Sequence, residues 1–170
     1  MILASPAAPI FLNSHVKMDK IVVVGIGNPF RGDDGAGWAV IDALKGRVNA
    51  KITLNKIRGD ISEVLDYFEN DSIVYLIDAC KKEAPAGTWQ RIDALSDPLL
   101  LERAQTSTHG LSISQAISLG KALNQLPIKL IIYAINGDHY SIGNDLSPPV
   151  AKAIETVVQS LLKEEDLGHA

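Results

Sequence analysis

Three carboxylates and two imidazoles occupy positions from which they could act together on a metal ion or a proton. Asp33 and Asp34 are adjacent and come soon after an apolar run, Asp78 ends a second apolar run, and His109 and His139 flank later predicted elements. Carboxylate oxygens and imidazole nitrogens are ligands for divalent cations, and the same groups serve as general acids and bases. The residues alone therefore predict a metal-binding or acid–base site, and they leave that choice open.

The elements that must position these residues alternate between strands and helices. The four branched residues 21–24 do not alternate with polar ones, which predicts a strand buried on both faces of a parallel sheet. The predicted strands are 20–25, 51–57, 72–78, 88–92 and 128–135, and the predicted helices are 35–45, 61–68, 110–124 and one that opens at 147–149. This order predicts a single-domain α/β fold, a three-layer sandwich with a mostly parallel five-stranded sheet and helices on both faces. The strand at 88–92 is expected to be antiparallel at an edge, because too few residues precede it for a crossover helix.

The predicted topology brings the chemical residues to one edge of the sheet. Asp33 and Asp34 follow the first strand, Asp78 closes the third, and His109 precedes the helix that leads into the fifth. The carboxyl ends of parallel strands and the amino ends of the following helices share an edge, which is where open α/β sheets bind ligands. A helix amino end also favours an ionised Asp34 and a neutral His109, so both are competent ligands near neutral pH.

Each of these residues also has a purely structural interpretation. Asp33 or Asp34 can serve only as a helix cap, and Asp78 sits where a turn-forming Asp is common. His109 can be a structural histidine, and His139 an ordinary loop residue. Spacing alone does not decide between these roles and the chemical ones.

Length and composition favour one domain of 170 residues, 46% of them hydrophobic. Residues 1–18 are expected to be a dispensable N-terminal extension, since Met18 directly precedes the first strand and is an alternative start. Residues 19–163 then form the domain, and residues 164–170 are expected to fray. The single cysteine, Cys80, excludes an internal disulfide and suits a reducing compartment. It is expected to be a small buried hydrophobe, or else a nucleophile paired with His109.

The charge pattern argues against two classes of partner. The 16 Lys and Arg residues are balanced by 20 Asp and Glu residues, and no basic stretch could follow a phosphate backbone, which excludes nucleic acid. The first residues lack a basic start and are interrupted by Pro6 and Pro9, which disfavours a signal peptide or a membrane span. We expect a cytoplasmic protein, and its oligomeric state stays open.

Six short segments, taken together and in order, resemble the hydrogenase maturation protease family. They are Gly25-Ile26-Gly27-Asn28, Gly32-Asp33-Asp34-Gly35-Ala36-Gly37, Leu76-Ile77-Asp78-Ala79, Pro85-Ala86-Gly87-Thr88, Ser107-Thr108-His109-Gly110-Leu111 and Ile142-Gly143-Asn144-Asp145-Leu146-Ser147-Pro148. The resemblance extends from about residue 21 to about residue 162. It implies an α/β fold with a five-stranded sheet between helices.

The resemblance also implies an activity and a site. Members of the family are endopeptidases that remove a C-terminal extension from the large-subunit precursor of [NiFe] hydrogenases after the metal centre is inserted. It implies metal contacts from Asp34, Asp78 and His109, with Asp34 and Asp78 as the catalytic carboxylates of an aspartic-type or metal-assisted peptidase. Some members carry Glu where this chain has Asp34, a longer arm for the same role. Nickel would be recognised in the substrate rather than stored, and a divalent metal of the protein's own is not required.

One loop departs from the family pattern. Several members have a Gly-Gly or Thr-containing loop after the second strand, where this chain has Arg58, Gly59 and Asp60. These three residues are candidates for selecting the precursor, whose identity, cleavage site and tail length the sequence leaves open.

Other functions remain to be weighed. A non-catalytic nickel-recognising chaperone would use the same ligands. A dinucleotide-binding oxidoreductase is disfavoured because Phe30 stands at the third glycine position and no acidic residue ends the second strand. A peptidyl-tRNA hydrolase shares the Gly-Asn-Pro turn but needs a basic channel and a histidine soon after it, both of which this sequence lacks.

Overall fold

The computed structural model describes residues 20–81, 84–97, 113–143 and 145–168. Within them the strands are β1 Lys20–Ile26, β2 Thr53–Ile57, β3 Ser72–Cys80, β4 Trp89–Asp93 and β5 Lys129–Asn136. The helices are α1 Ala36–Leu44, α2 Ile61–Leu65, α3 Ile113–Ala122 and α4 Pro148–Leu161, and a 3-10 turn at Gly32–Gly35 precedes α1. None of the described helices is long and apolar enough to cross a membrane. The first residues of the helix predicted for 110–124 lie outside the described residues, as does the segment 98–109 before it.

The five strands form one sheet in the order β2-β1-β3-β5-β4. β1 pairs in parallel with β2 and β3, and β3 pairs in parallel with β5. β4 is antiparallel to β5 at the edge, as predicted. β3 lies at the centre and all nine of its residues are buried, which explains why its sequence is a nearly continuous apolar run. The predicted mostly parallel α/β sheet is confirmed.

Helices cover both faces of the sheet and produce the predicted three layers. On one face α1 and α4 pack against odd-numbered residues of β3 such as Tyr75 and Ile77. On the other face α2 and α3 pack against even-numbered residues of β3 such as Leu76. Each fully buried aliphatic side chain contributes about 1.5–3 kcal/mol to folding, so the two apolar layers supply most of the driving force.

The sequence predicts that residues 164–170 fray, and the part of this segment that the structure describes, through residue 168, contacts the sheet. The Tyr133 hydroxyl donates to Glu164 at 2.8 Å, and the Tyr75 hydroxyl donates to Asp166 at 2.7 Å. The two tyrosines lie in strands and are fully buried, so each hydroxyl requires an acceptor, and the segment after α4 supplies both. These bonds fasten the end of the described chain to the sheet.

Candidate active site

The loop that follows β1 holds Asp34 in a fixed position. Gly27 has a φ of +134°, and a Cβ atom on it would lie 1.8 Å from the backbone oxygen of Asp34, so only glycine fits there. The Asn28 backbone N–H donates to Asp34 Oδ2 at 3.1 Å, and Asp34 is only 1% exposed. Asp34 is not the N-cap residue of α1, because Gly35 occupies that position. The Asp34 carboxylate bonds back to the loop that follows β1.

Asp78 lies at the same edge of the sheet, near the end of β3. Ile77 is paired with Gly25 of β1, so Asp78 is one step beyond that pair, level with the end of β1. It is 2% exposed. A Cβ atom on Gly37 would lie 2.4 Å and 2.5 Å from the backbone oxygens of Ile26 and Ile77. The first turn of α1 therefore rests directly on the ends of β1 and β3, which brings the regions of Asp34 and Asp78 together.

Burial of these two carboxylates is chemically informative. A buried carboxylate is costly unless hydrogen bonds, an opposite charge or a bound cation compensates it. Two such groups at the ligand-binding edge of an α/β sheet are suited to binding a cation or to transferring a proton. This is the arrangement that the topology of the sequence predicts for Asp34 and Asp78.

Asp33 has a structural role that differs from helix capping. Its Oδ2 accepts bonds from the backbone N–H groups of Asp138 at 2.8 Å and His139 at 3.0 Å. Ser147 adds a bond from its N–H to Oδ1 at 2.7 Å and one from its hydroxyl to Oδ2 at 3.0 Å. Burial alone would raise the pKa of Asp33, but these four bonds to the ionised form outweigh it and lower the pKa below its usual value. Asp33 thus ties the loop after β5 to the start of α1.

Tyr140 and Cys80 complete the packing between these loops. The Tyr140 hydroxyl donates to the backbone oxygen of Cys80 at 2.7 Å. Burial raises the pKa of Tyr140, and the neighbouring Cys80, Asp33 and Asp78 raise it further, so the phenol remains a proton donor. Cys80 itself is buried within the apolar layer that includes Leu76. This environment favours the hydrophobe interpretation of Cys80 over the nucleophile.

Three hydrogen bonds to one carboxylate hold the backbone of Arg58, Gly59 and Asp60, the loop that departs from the family pattern. Glu63 Oε2 accepts bonds from the backbone N–H groups of Arg58, Gly59 and Asp60 at 3.1, 3.1 and 3.2 Å. Asp60 caps α2 by accepting from Ser62 N–H at 3.0 Å, and this bond and one from the Ser62 hydroxyl lower the pKa of Asp60. The Arg58 side chain is exposed.

This loop adjoins the one that carries Asp34. The backbone oxygen of Ile57, the residue before Arg58, accepts from Gly27 N–H at 3.1 Å and from Trp38 Nε1 at 2.9 Å. An exposed Arg58 is therefore presented close to the edge where Asp34 and Asp78 lie.

The structure describes only one of the two histidines predicted to lie at the site. His109 lies outside the described residues, so its place beside Asp34 and Asp78 stays a prediction. His139 is an exposed loop residue whose backbone, rather than its imidazole, bonds to Asp33. Among the described residues no three His, Cys, Asp or Glu side chains lie close enough to hold a metal, so the predicted ligand set depends on His109.

A comparison with known families decides what kind of protein carries this site. Residues 59–164 match the family model described as hydrogenase maturation protease, HycI, and this range is more than half of the chain. The chain belongs to the hydrogenase maturation protease family. The matched range contains Asp78 and His109, and the loop with Asp34 precedes it.

Individual relatives of this chain agree with the family. The hydrogenase expression/formation protein HupD of Thiocapsa roseopersicina is 22% identical over 147 residues, which is 85% of this chain and 66% of HupD. The chain thus spans slightly less than two thirds of the length of that relative. The hydrogenase maturating endopeptidase HybD of Escherichia coli superposes with a TM-score of 0.69 at 20% identity, over 84% of this chain and 90% of HybD. A solution structure of an endopeptidase from Escherichia coli superposes with a TM-score of 0.73 at 22% identity, over 84% of this chain and 90% of that chain.

Two features of the candidate site were not assigned from the sequence. Asn28 holds Asp34 through its backbone N–H, and Asp33 fastens the loop after β5. Asn28 belongs to a recognisable Gly-x-Gly-Asn turn, but which residue its N–H contacts depends on the path of the whole loop. The partners of Asp33 lie more than 100 residues away in the sequence, and no local pattern indicates them.

Proposed function

We propose that this protein is an endopeptidase that removes the C-terminal extension of a nickel-loaded [NiFe] hydrogenase large-subunit precursor. The observation that carries the proposal is the placement of two nearly inaccessible carboxylates, Asp34 and Asp78, at one edge of the sheet in a member of the hydrogenase maturation protease family. The reaction is placed in the cytoplasm, where a thiol such as Cys80 stays reduced.

Nickel enters this proposal as part of the substrate. Asp34, Asp78 and His109 contact the nickel that the precursor presents in its cysteine-ligated centre, and their oxygen and nitrogen atoms are suitable donors for it. Cleavage then depends on the metal having been inserted, so the site acts as a check on the completeness of the precursor. The carboxylates are preorganised for this contact, because Gly27 and Asn28 fix Asp34 and the central strand fixes Asp78.

Hydrolysis of the peptide bond requires a base, a stabilised oxyanion and a proton for the leaving amine. A water molecule attacks the scissile carbonyl carbon while its proton passes to a carboxylate, Asp34 or Asp78. The C–N bond then breaks and the same proton is delivered to the amine nitrogen of the released tail. The alternative is metal-assisted, with the water activated by the nickel of the substrate rather than by a carboxylate.

The test is to incubate the purified protein with nickel-loaded and nickel-free precursors and to measure the mass of the products. We expect loss of the tail peptide from the loaded precursor only. Asp78→Asn and His109→Ala should fold normally, as judged by circular dichroism, and leave the loaded precursor uncleaved. Asp66→Asn, which changes an exposed carboxylate on the far end of α2, is the control and should cleave normally.

Two results would contradict the proposal. Full processing by both site variants would remove Asp78 and His109 from the mechanism. Tight binding of the loaded precursor without release of a peptide by the unaltered protein would favour a nickel-recognising chaperone instead. A range of precursors is needed, because the partner of this particular chain is set by features such as Arg58 that differ within the family.

A further inference from the structure

A pocket of about 170 Å³ opens at the carboxyl edge of the sheet, beside the strand that carries Asp78. It is lined by Cys80 at the end of β3, by Ala134 of β5, and by Thr88 and Gln90 where β4 begins. A protein cavity of about 150 Å³ holds a benzene molecule. The pocket is therefore large enough for one medium-sized amino-acid side chain.

The pairing of the strands places this pocket one strand away from Asp78. Asp78 is paired with Ala134 of β5, and Ala134 is paired with Gln90 of β4, so the three residues form a row across the sheet. Leu76 and Cys80, two residues to either side of Asp78, belong to the apolar layer that also contains Ala134. Since side chains alternate between the faces of a strand, Asp78 lies on this face as well.

The spacing of the row matches the spacing of residues in a bound peptide. Neighbouring strands are about 4.8 Å apart, and consecutive Cα atoms of a chain are about 3.8 Å apart. A peptide bond held at Asp78 for hydrolysis therefore has a flanking residue whose side chain can enter the pocket beside Ala134.

The small side chain of Ala134 leaves the space that forms the pocket. On the same face of β5, Leu130 and Ile132 fill the apolar layer with larger side chains. Ala134 carries only a methyl group and is 1% exposed. A larger residue at this position would occupy the pocket instead of the core.

The turn before β4 forms a wall of the pocket through Ala84 and Thr88. Gly87 N–H donates to the Asn136 backbone oxygen at 2.7 Å, and Asn136 N–H donates to the Thr88 backbone oxygen at 2.8 Å. The Asn136 side-chain amide donates to the Ala84 backbone oxygen, and the Thr88 hydroxyl donates to the Pro85 backbone oxygen at 2.7 Å. These bonds hold the turn to the end of β5, so the wall is in place before a ligand binds. The turn contains one of the six segments that resemble the family, and the reaction proposed above gives that segment no role.

We propose that this pocket binds one medium-sized, uncharged side chain of the precursor, from a residue directly beside the scissile peptide bond; the inference rests on the proposed function. Every described residue that lines the pocket is uncharged. A charged side chain would lose hydration there without gaining an opposite charge. Ala134 is then a residue that determines which junction between mature subunit and tail is accepted.

The test narrows the pocket with Ala134→Val and uses Ala94→Val as the matched control. Ala94 is a buried alanine of the same apolar layer, and its N–H donates to Leu130 at the other end of β5. Both variants add two methyl groups to the core, but only Ala134→Val adds them to the pocket. Cleavage of the nickel-loaded precursor is followed by mass spectrometry, its binding on a biosensor surface, and the stability of each variant by its melting temperature. The same measurements are made with precursors in which each junction residue is changed in turn to Gly, Lys or Glu.

We expect Ala134→Val to lower kcat/KM at least about tenfold, because a methylene in such a pocket changes discrimination by roughly 10–200-fold. Ala94→Val should cleave like the unaltered protein. At one junction position Gly should restore cleavage by Ala134→Val, and Lys or Glu there should lower cleavage by the unaltered protein at least about tenfold.

The outcomes separate the pocket from the proposed function. Equal kcat/KM for the two variants, with no junction position at which Lys and Glu are rejected, would overturn the pocket even if cleavage is confirmed. If the unaltered protein releases no peptide, the proteolysis fails and the same comparisons are made from binding. Weaker binding by Ala134→Val that a Gly precursor restores would then support the pocket, and equal binding would overturn it. If Ala134→Val melts below Ala94→Val, the Lys and Glu precursors decide the matter with the unaltered protein alone.

Discussion

Asp33 and Ser147 are 114 residues apart in the sequence and are joined by two hydrogen bonds, at 2.7 Å through the Ser147 N–H and at 3.0 Å through its hydroxyl. Both residues are buried, and the contact fastens the start of α4 to the turn that precedes α1. The residue that follows Asp33 is the candidate catalytic Asp34. The Asp33–Ser147 contact, which is structural, thus helps to set the position of Asp34.

The first prediction concerns Asp33. Asp33→Asn keeps the shape of the side chain but replaces one acceptor oxygen with a donor that faces backbone N–H groups. We expect a loss of about 2–4 kcal/mol in the free energy of unfolding, since hydrogen bonds to a charged acceptor are broken and buried donors are left unsatisfied. Ser147→Ala removes only the hydroxyl contact and should cost about 1–2 kcal/mol. Urea denaturation of both variants measures the difference, and equal stability of Asp33→Asn and the unaltered protein would contradict this role.

The second prediction concerns Gly27. In Gly27→Ala the new methyl group would overlap the backbone oxygen of Asp34, so the loop must shift. We expect a destabilisation of about 3 kcal/mol or more, together with loss of cleavage by the fraction that remains folded. Gly46→Ala is the matched control, because Gly46 also has positive φ, +73°, but nothing lies within 4 Å of its Cβ position. That variant should cost only about 1–2 kcal/mol of backbone strain and remain active. Thermal unfolding and product mass check both, and similar behaviour of the two variants would contradict the proposed contact.

Much of the fold follows from local patterns in the sequence. The branched run at β1 and the apolar run at β3 indicate buried parallel strands, and the short distance between β3 and β4 indicates an antiparallel edge. The capping role of Asp60 is also visible locally, since Glu63 stands three residues later. The common edge of Asp34 and Asp78 needs only the strand–helix alternation.

The remaining features depend on contacts that no local pattern records. Asp33 resembles a helix cap in sequence, yet its carboxylate accepts hydrogen bonds from the loop that follows β5. The segment after α4 is rich in charge and near the end of the chain, which favours fraying, yet its carboxylates satisfy tyrosine hydroxyls buried in the sheet. In both cases a polar group is explained only by a partner distant in sequence.

The third prediction separates selectivity from loop structure. Arg58→Ala removes an exposed side chain for which the structure describes no contact. The free energy of unfolding should therefore change by less than about 0.5 kcal/mol. Its effect should appear as a changed order of preference among several hydrogenase precursors in a competition assay. Glu63→Ala leaves three backbone N–H groups without their acceptor and should cost about 1–2 kcal/mol. An unchanged preference order in Arg58→Ala would remove this loop from substrate selection.

The last prediction concerns acid stability and Glu164. Burial raises the pKa of Glu164, but hydrogen bonds from Arg91 and Tyr133 lower it by more. The net pKa therefore lies below its usual value of 4.5. Between the folded pKa and 4.5 the unfolded chain binds a proton that the folded chain does not, so stability increases with pH in that window. The contribution is complete above pH 4.5 and is lost as the pH falls through the folded pKa.

Glu164→Gln cannot ionise and therefore isolates this contribution. At pH 7 the variant should be less stable by about 1–2 kcal/mol, a value that allows for the partial exposure of Arg91. The difference should narrow below pH 4.5, because the unaltered Glu164 also becomes neutral there. Glu165→Gln changes an exposed neighbour and should leave stability unchanged at every pH. Urea unfolding at intervals from pH 3 to pH 7 gives the comparison, and a difference between Glu164→Gln and the unaltered protein that stays constant with pH would show that the charge of Glu164 does not hold the end of the chain to the sheet.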